Sequence, residues 1–243
     1  MTEALKADWY DLAENDAGRF LDWLHGTYLP ALMALPGIAW AGHYKISPKG
    51  ERAVTPGSPP RRSTDDPNVA AGSQYVLLAA APSADVFFAS DGPIPAFEKA
   101  NAARLKARRN HRDAVFIEES RVDGLEHAWR SQGRGAPPAM QLGNFIVRSP
   151  ADEVELARYY RESRWPDLMR CRGCIGARKL LSIAGWPKHG ILYEFTGMDD
   201  DEELFERRMA AARQGPRVGR SVVEFVVHAP HAPHAGVRIW PSV

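Results

Sequence analysis

The 243-residue sequence has only two cysteines, Cys171 and Cys174, too few for a disulfide framework. No stretch approaches the roughly 20 apolar residues of a membrane-spanning helix, so none is expected. A surplus of charge is missing too: 31 basic against 30 acidic residues give a formal net charge of +1. Nucleic-acid or anionic-membrane surfaces need a basic excess, and neither partner is expected here. The opening residues MTEALKADWYD are acidic and contain no apolar h-region. No signal peptide is read there, and a cytoplasmic location is the default expectation.

What is present is the composition of a globular chain with a real core, 44% hydrophobic and 25% charged. Its organisation emerges from two stretches, YLPALMALPGIA (28–39) and RWPDLMRCRGCI (164–175). Pro30 and Pro166, Leu32 and Leu168, Met33 and Met169, and Gly37 and Gly173 match at one offset, 136. Average residue usage predicts roughly one match in twelve, not four.

The elements around these stretches recur in the same order. The first half reads as a strand (7–12), a helix (16–35), strands at 36–46 and 73–81, a helix (94–108) and a strand (113–120). Asn15 or Asp16 is the expected N-cap of the first helix, and Pro30 is expected to kink or end it. The second half reads as a strand (142–147), a helix (151–169), strands at 173–183 and 190–197, a helix (201–214) and a strand (220–228). In the later helices Phe97, Glu98, Ala102 and Ala103 match Phe205, Glu206, Ala210 and Ala211 at an offset of 108. The shorter offset places extra residues of the first half in the loop 47–72 and the segment 82–93.

β-α-β-β-α-β is the ferredoxin-like unit, whose sheet has helices on one face only. Two such units cover each other's open face. The expected fold is α+β: two tandem ferredoxin-like repeats packed sheet to sheet as an intrachain dimeric α/β barrel. The expected divisions are a first repeat (1–123, with loop 47–72), a Gly- and Pro-rich linker (124–141), a second repeat (142–228) and a C-terminal tail (229–243).

The segment FLDWLHGTYLPALMALPG (20–37) resembles the first-helix signature of dimeric α/β-barrel proteins, the superfamily that includes EthD-like and REDY-like proteins. Phe20, Asp22, Trp23, Pro30, Leu32, Pro36 and Gly37 carry the match. The resemblance implies the fold over nearly the whole chain. Where such families often have a pocket histidine, this chain has Tyr28, and Arg164 in its second copy. Neither shuttles protons near neutrality at its ordinary pKa, so the proton-transfer activities of those families do not carry over to this chain. Duplicated chains of this length also resemble the chlorite-dismutase and dye-peroxidase superfamily, which implies haem as an alternative. Its ligating histidine is expected after a helix of the second half, where 151–214 contains only His189, in a loop.

His25 and Tyr28 are three residues apart on one helical face. They form a candidate donor–acceptor pair, with a surface histidine beside a packed tyrosine as the plainer alternative. Tyr10, Trp40, His43 and Tyr44 fall on strands expected to line the barrel, where they suit either a flat apolar ligand or an inter-sheet core. Arg164 suits an acidic group, although Arg158, Arg161 and Arg170 around it also suit a solvated face. Cys171 and Cys174 form a CxxC, but they align with Leu35 and Ile38, so buried apolar packing is the expected role. His228, His231 and His234 recur every three residues in a stretch expected to lie on the surface as tail.

These readings lead to a small hydrophobic or aromatic ligand inside the barrel, with no cofactor and no metal. In an enzyme, Tyr28 would donate to a developing enolate, His25 or His43 would move the proton, and Arg164 would hold an acidic group; Tyr10 and Trp40 would contact the ligand. A non-catalytic interaction module is the competing expectation, and a homodimer of such chains a further one.

Overall fold

A computed structural model describes residues 3–48, 61–90, 92–131, 135–197 and 221–242. In chain order these form β1 (Ala4–Asp11), α1 (Glu14–Trp23), a π-helical turn (Leu24–Tyr28), α2 (Leu29–Met33), β2 (Trp40–Ile46), β3 (Tyr75–Ala81), α3 (Asp85–Phe88), α4 (Pro93–Leu105) and β4 (Arg109–Asp123). Then come α5 (Ala128–Ser131), β5 (Ala139–Val147), α6 (Pro150–Tyr159), a second π-helical turn (Tyr160–Arg164), α7 (Trp165–Leu168), β6 (Cys174–Gly185), β7 (His189–Phe195), a 3₁₀ turn (Val222–Glu224), β8 (Val226–His228) and β9 (His234–Trp240). The helix expected at 201–214 lies outside the described residues.

The strands join in the order β7-β6-β4-β1-β3-β2-β9-β5, and pairing of β5 with β7 closes the ring. Every pairing between named strands is antiparallel, giving an eight-stranded closed barrel without free edges. β8 pairs with β5 beside β9, so that His228 stands opposite Phe145 and His234 opposite Leu142.

Three cores follow from the two faces of this sheet. Inside the barrel lie Leu5, Ala7 and Trp9 of β1, Trp40 and Tyr44 of β2, Phe116 of β4, and Met140 and Leu142 of β5. Outside, α1, α2 and α4 cover Tyr10, Ala41, Tyr75, Leu77 and Ala79. A second outer core joins α6 and α7 to Phe145, Ala177, Ile191 and Tyr193. β3, the apolar run YVLLAAA, is buried on both faces because Val76, Leu78 and Ala80 point inward while Tyr75, Leu77 and Ala79 point to the helices.

Pro30 does not end its helix. The turn before it widens, with Leu29 N–H reaching back to Leu24 O. The wider turn makes room for a proline ring that would otherwise crowd the carbonyl four residues earlier. Pro166 follows the same device, with Trp165 N–H donating to Tyr160 O. The N-cap of α1 lies two residues before Asn15 and three before Asp16: Ala13 holds it without a side-chain bond, and Glu14 and Asp16 sit in the first turn, where the helix dipole favours them.

Two expectations need correction. Residues 234–240 are not surface tail but strand β9, held between β2 and β5, with His234 and Ala235 buried. Tyr10 and His43 do not line the barrel; both turn outward to the first helix layer. Only Trp40 and Tyr44 of that aromatic set face inward.

Candidate functional site

β1 and β2 bring outward-facing residues beneath the first π-helical turn. His43, on β2, is completely buried and holds two partners with its two ring nitrogens. Its Nε2 lies 2.7 Å from the Tyr10 hydroxyl, and its Nδ1 lies 2.8 Å from Nε2 of His25. Tyr75 of β3 stacks against both, with ring centroids 5.6 Å from Tyr10 and 5.3 Å from His43. The outer end of this chain, His25, is half-buried and sits in the π-helical turn. Such turns recur at functional sites because the wide coil redirects a side chain.

Burial keeps this chain neutral. It holds the His43 imidazole well below 6.5, and positive charge on His25 and Lys45 would lower it further. It lowers His25 too, against the opposing pull of Asp22. The Tyr10 phenol is pushed well above 10 by burial, with Arg108 opposing. Two hydrogen-bond directions are open to three neutral groups. In one, Tyr10 O–H donates to His43, His43 N–H donates to His25, and His25 presents N–H outward. In the other every bond is reversed and His25 presents a lone pair.

Asp8, two residues before Tyr10 on the same face of β1, anchors the adjoining floor. Its Oδ1 accepts from Arg108 at 2.8 Å and from His111 at 2.7 Å. Burial alone would raise this carboxyl, but Lys6, Arg108 and His111 hold it well below the usual carboxylate range. Lys6 pairs in turn with Glu98 of α4. Arg108 also lies 5.8 Å from the Tyr10 ring centroid. Sequence reading passed over Asp8, Tyr75 and Arg108. A charged residue at an interior position of the apolar strand β1 was the available signal for Asp8, since such a residue must find partners.

The other candidates lie around or away from this point. Tyr28 is buried in the same layer, its ring 4.8 Å from Phe97 and 5.3 Å from Trp23, and burial raises its phenol. Trp40 faces the barrel interior, with its indole N–H donating to Glu3 at 3.1 Å. Arg164 stands in the second helix layer, where Nε donates to the Tyr193 hydroxyl at 3.0 Å. It therefore does not join His25 and His43. Cys171 and Cys174 are buried free thiols.

Among the described residues no group of three or more His, Cys, Asp or Glu side chains gathers as a metal site. The second helix layer also does not fit haem. α6, its π-helical turn and α7 carry no histidine. His189 lies on β7, with Nε2 2.9 Å from Glu153 and its ring stacked on Phe145.

No family model matches the chain, and no curated protein matches it. Solved structures of its fold do. The chlorite dismutase-like protein TA0507 is 12% identical over 98% of this chain and 96% of that one, with a TM-score of 0.59. An anthrone oxidase-like protein is 8% identical over 98% and 91%, with a TM-score of 0.54. A mutant chlorite dismutase from Candidatus Nitrospira defluvii is 8% identical over 97% and 90%, with a TM-score of 0.53. At these identities what the chain shares with them is the α+β barrel fold.

Proposed function

We propose that the chain is a cofactor-free enzyme that moves a proton on a small hydrophobic or aromatic metabolite held between the first helix layer and the sheet. The observation that carries this reading is the Tyr10–His43–His25 chain, which runs from a sealed phenol to a half-buried imidazole. His25 is the member that meets substrate. A proton taken at its outward nitrogen charges His25 itself, the half-buried end of the chain, whose inner N–H donates to neutral His43 until the proton returns to the substrate; Tyr10, already carrying its own proton, takes none. Trp23, Tyr28 and Phe97 pack together as an aromatic cluster in the same helix layer. A substrate with an acidic C–H next to a carbonyl suits this arrangement.

The reading of the chain as two tandem units is part of the same proposal. Its support is that β4-β1-β3-β2 and β9-β5-β7-β6 repeat one strand order. The π-helical turns at 24–28 and 160–164 also repeat at the offset of 136 found in the sequence. The second unit has Phe145, Lys179 and His189 where the first has Tyr10, His43 and Tyr75, so only the first carries the relay.

Deuterium exchange into enolisable aromatic ketones and polyketide-like acids tests the reading. The protein is expected to catalyse exchange and to gain thermal stability with the same compounds, and His25→Gln is expected to slow exchange at least about 100-fold. Neither exchange nor stabilisation across the panel would favour the competing reading of a non-catalytic module. That alternative draws on the barrel interior, where Trp9, Tyr44, Phe116 and Met140 are fully buried.

A further inference from the structure

The barrel buries one arginine near each end of its interior, and the two are treated differently. Arg178 meets carboxylates: Nη2 lies 2.9 Å from Glu194, and Nη1 pairs with Glu3. Arg112, 7% exposed, pairs with none among the described residues. Its hydrogen bonds go to neutral acceptors, to Asn144 Oδ1 at 3.0 Å and to the carbonyls of Ala70 and Gly72 at 3.3 Å each. Its guanidinium carbon also lies 4.4 Å from the Trp9 ring centroid.

Asp11 acts on Arg112 only from beyond ion-pair distance, and donors around Arg112 are left over. Two residues before Ala114 on β4, Arg112 shares the inward face with Trp9, its partner in the strand register. Asn144, two residues after Leu142, and His234, opposite Leu142, share that face and are fully buried. Asn144 Nδ2 contacts His234 Nδ1 at 3.2 Å. Trp9 Nε1 and Arg112 Nε, which can only donate, are buried without a partner. Buried donors of this kind call for an acceptor, and a buried cation calls for a charge. At Arg178 the chain supplies carboxylates within ion-pair reach, although Nε is unpartnered there too; at Arg112 it supplies neutral acceptors, with Asp11 acting from beyond ion-pair distance, and none to the Trp9 indole N–H.

We propose that this barrel end binds a small monoanion, either a halide or a carboxylate group, held by Arg112 and the Trp9 indole N–H with Asn144 and His234 beside them. Entry requires the covering segment at Ala70–Gly72 to part, and the long contacts from Arg112 to its carbonyls are the ones an anion would replace. Burial lowers the Arg112 pKa to about 9 against the opposing pull of Asp11, and a bound anion would raise it again. The site is independent of the relay at His25.

Crystals of the full chain soaked in sodium bromide are expected to show an anomalous peak within hydrogen-bond reach of Arg112 and Trp9. In solution, chloride, bromide, formate and acetate are compared with gluconate at equal ionic strength. They are expected to raise the melting temperature saturably, by about 3–6 °C at ten times the dissociation constant. Arg112→Met is expected to abolish the rise, and Trp9→Phe, which keeps an aromatic ring, to weaken the apparent affinity about tenfold. A tighter response to halide assigns an inorganic ion, and a tighter response to formate or acetate assigns the carboxylate of a metabolite. Bromide at surface positions only, as an adventitious ion only, overturns the proposal, as does a temperature response equal in the native chain and Trp9→Phe. Should Arg112→Met fail to fold, the bromide position and Trp9→Phe still decide.

Discussion

The facing nitrogens of His25 and His43 stand 2.8 Å apart, although one imidazole comes from a helical turn and the other from a strand eighteen residues later. They are two of the three members of one polar chain; burial lowers both imidazoles, outweighing the pull of Asp22 on His25. The consequences below follow from that neutrality and from how the barrel closes.

Acid should destabilise the protein through its buried imidazoles. His43 and His234 are both held well below 6.5, first by burial. The unfolded chain therefore takes up protons at these sites as the pH falls through 6.5, while the folded chain does not. Stability from this source is complete above 6.5 and is lost below it, at up to about 1.4 kcal/mol per pH unit for each imidazole. Asp8, held below 3.8, loses its contribution only as the pH falls through and below that lower range. Denaturant titrations between about pH 7.5 and 5 are expected to show the loss, and His43→Gln should flatten it by about one proton. A slope unchanged by that substitution would mean His43 is not neutral and buried.

Tyr10→Phe should leave the stack with Tyr75 and the edge contact with Phe20 in place. It removes the hydroxyl that His43 Nε2 faces and leaves that nitrogen sealed without a partner. A loss of about 1–3 kcal/mol is expected by chemical denaturation, together with a changed His43 tautomer by nitrogen NMR. No change in either would detach Tyr10 from the relay.

Removing residues 234–243 should abolish the folded state. β9 closes the barrel between β2 and β5, and without it both strands present open edges. Loss of cooperative unfolding and of the near-ultraviolet circular dichroism signal is expected. Gly236→Ala is the milder version, because a Cβ there meets the Lys45 carbonyl across the strand pair. A truncated chain that still melts cooperatively would contradict the barrel closure.

Both cysteines should be inert in the native protein. Burial pushes the Cys174 thiol up to about 12, and Cys171 is buried beside it. At pH 7.5 a disulfide reagent is expected to label neither within minutes and both after denaturation. Rapid native labelling would revive a redox role for the CxxC.

Much of the architecture was legible along the chain because its signals are local. Apolar spacing marked β1 to β7 and the helices α1, α2, α4, α6 and α7, but not the short α3 and α5, and the Pro30–Pro166 offset exposed the matched order. Asp8 was visible as a charge in an apolar strand. The histidine relay was legible only as its separate members, Tyr10, His25 and His43.

Which way those members face was settled by tertiary structure alone. A strand packed against helices on one side and a barrel core on the other is apolar on both, so alternation gives the two sides no label. For that reason Tyr10 and His43 read as barrel lining, whereas they point to the helices. Arg164 and His25 lie on matching turns, yet they belong to different helix layers. β9, HAGVRIW, was missed because it follows the His- and Pro-rich run 228–234, which reads as tail and masks the strand-forming Val237, Ile239 and Trp240 behind it. Its place comes from backbone pairing with β2 and β5, residues that are distant in sequence.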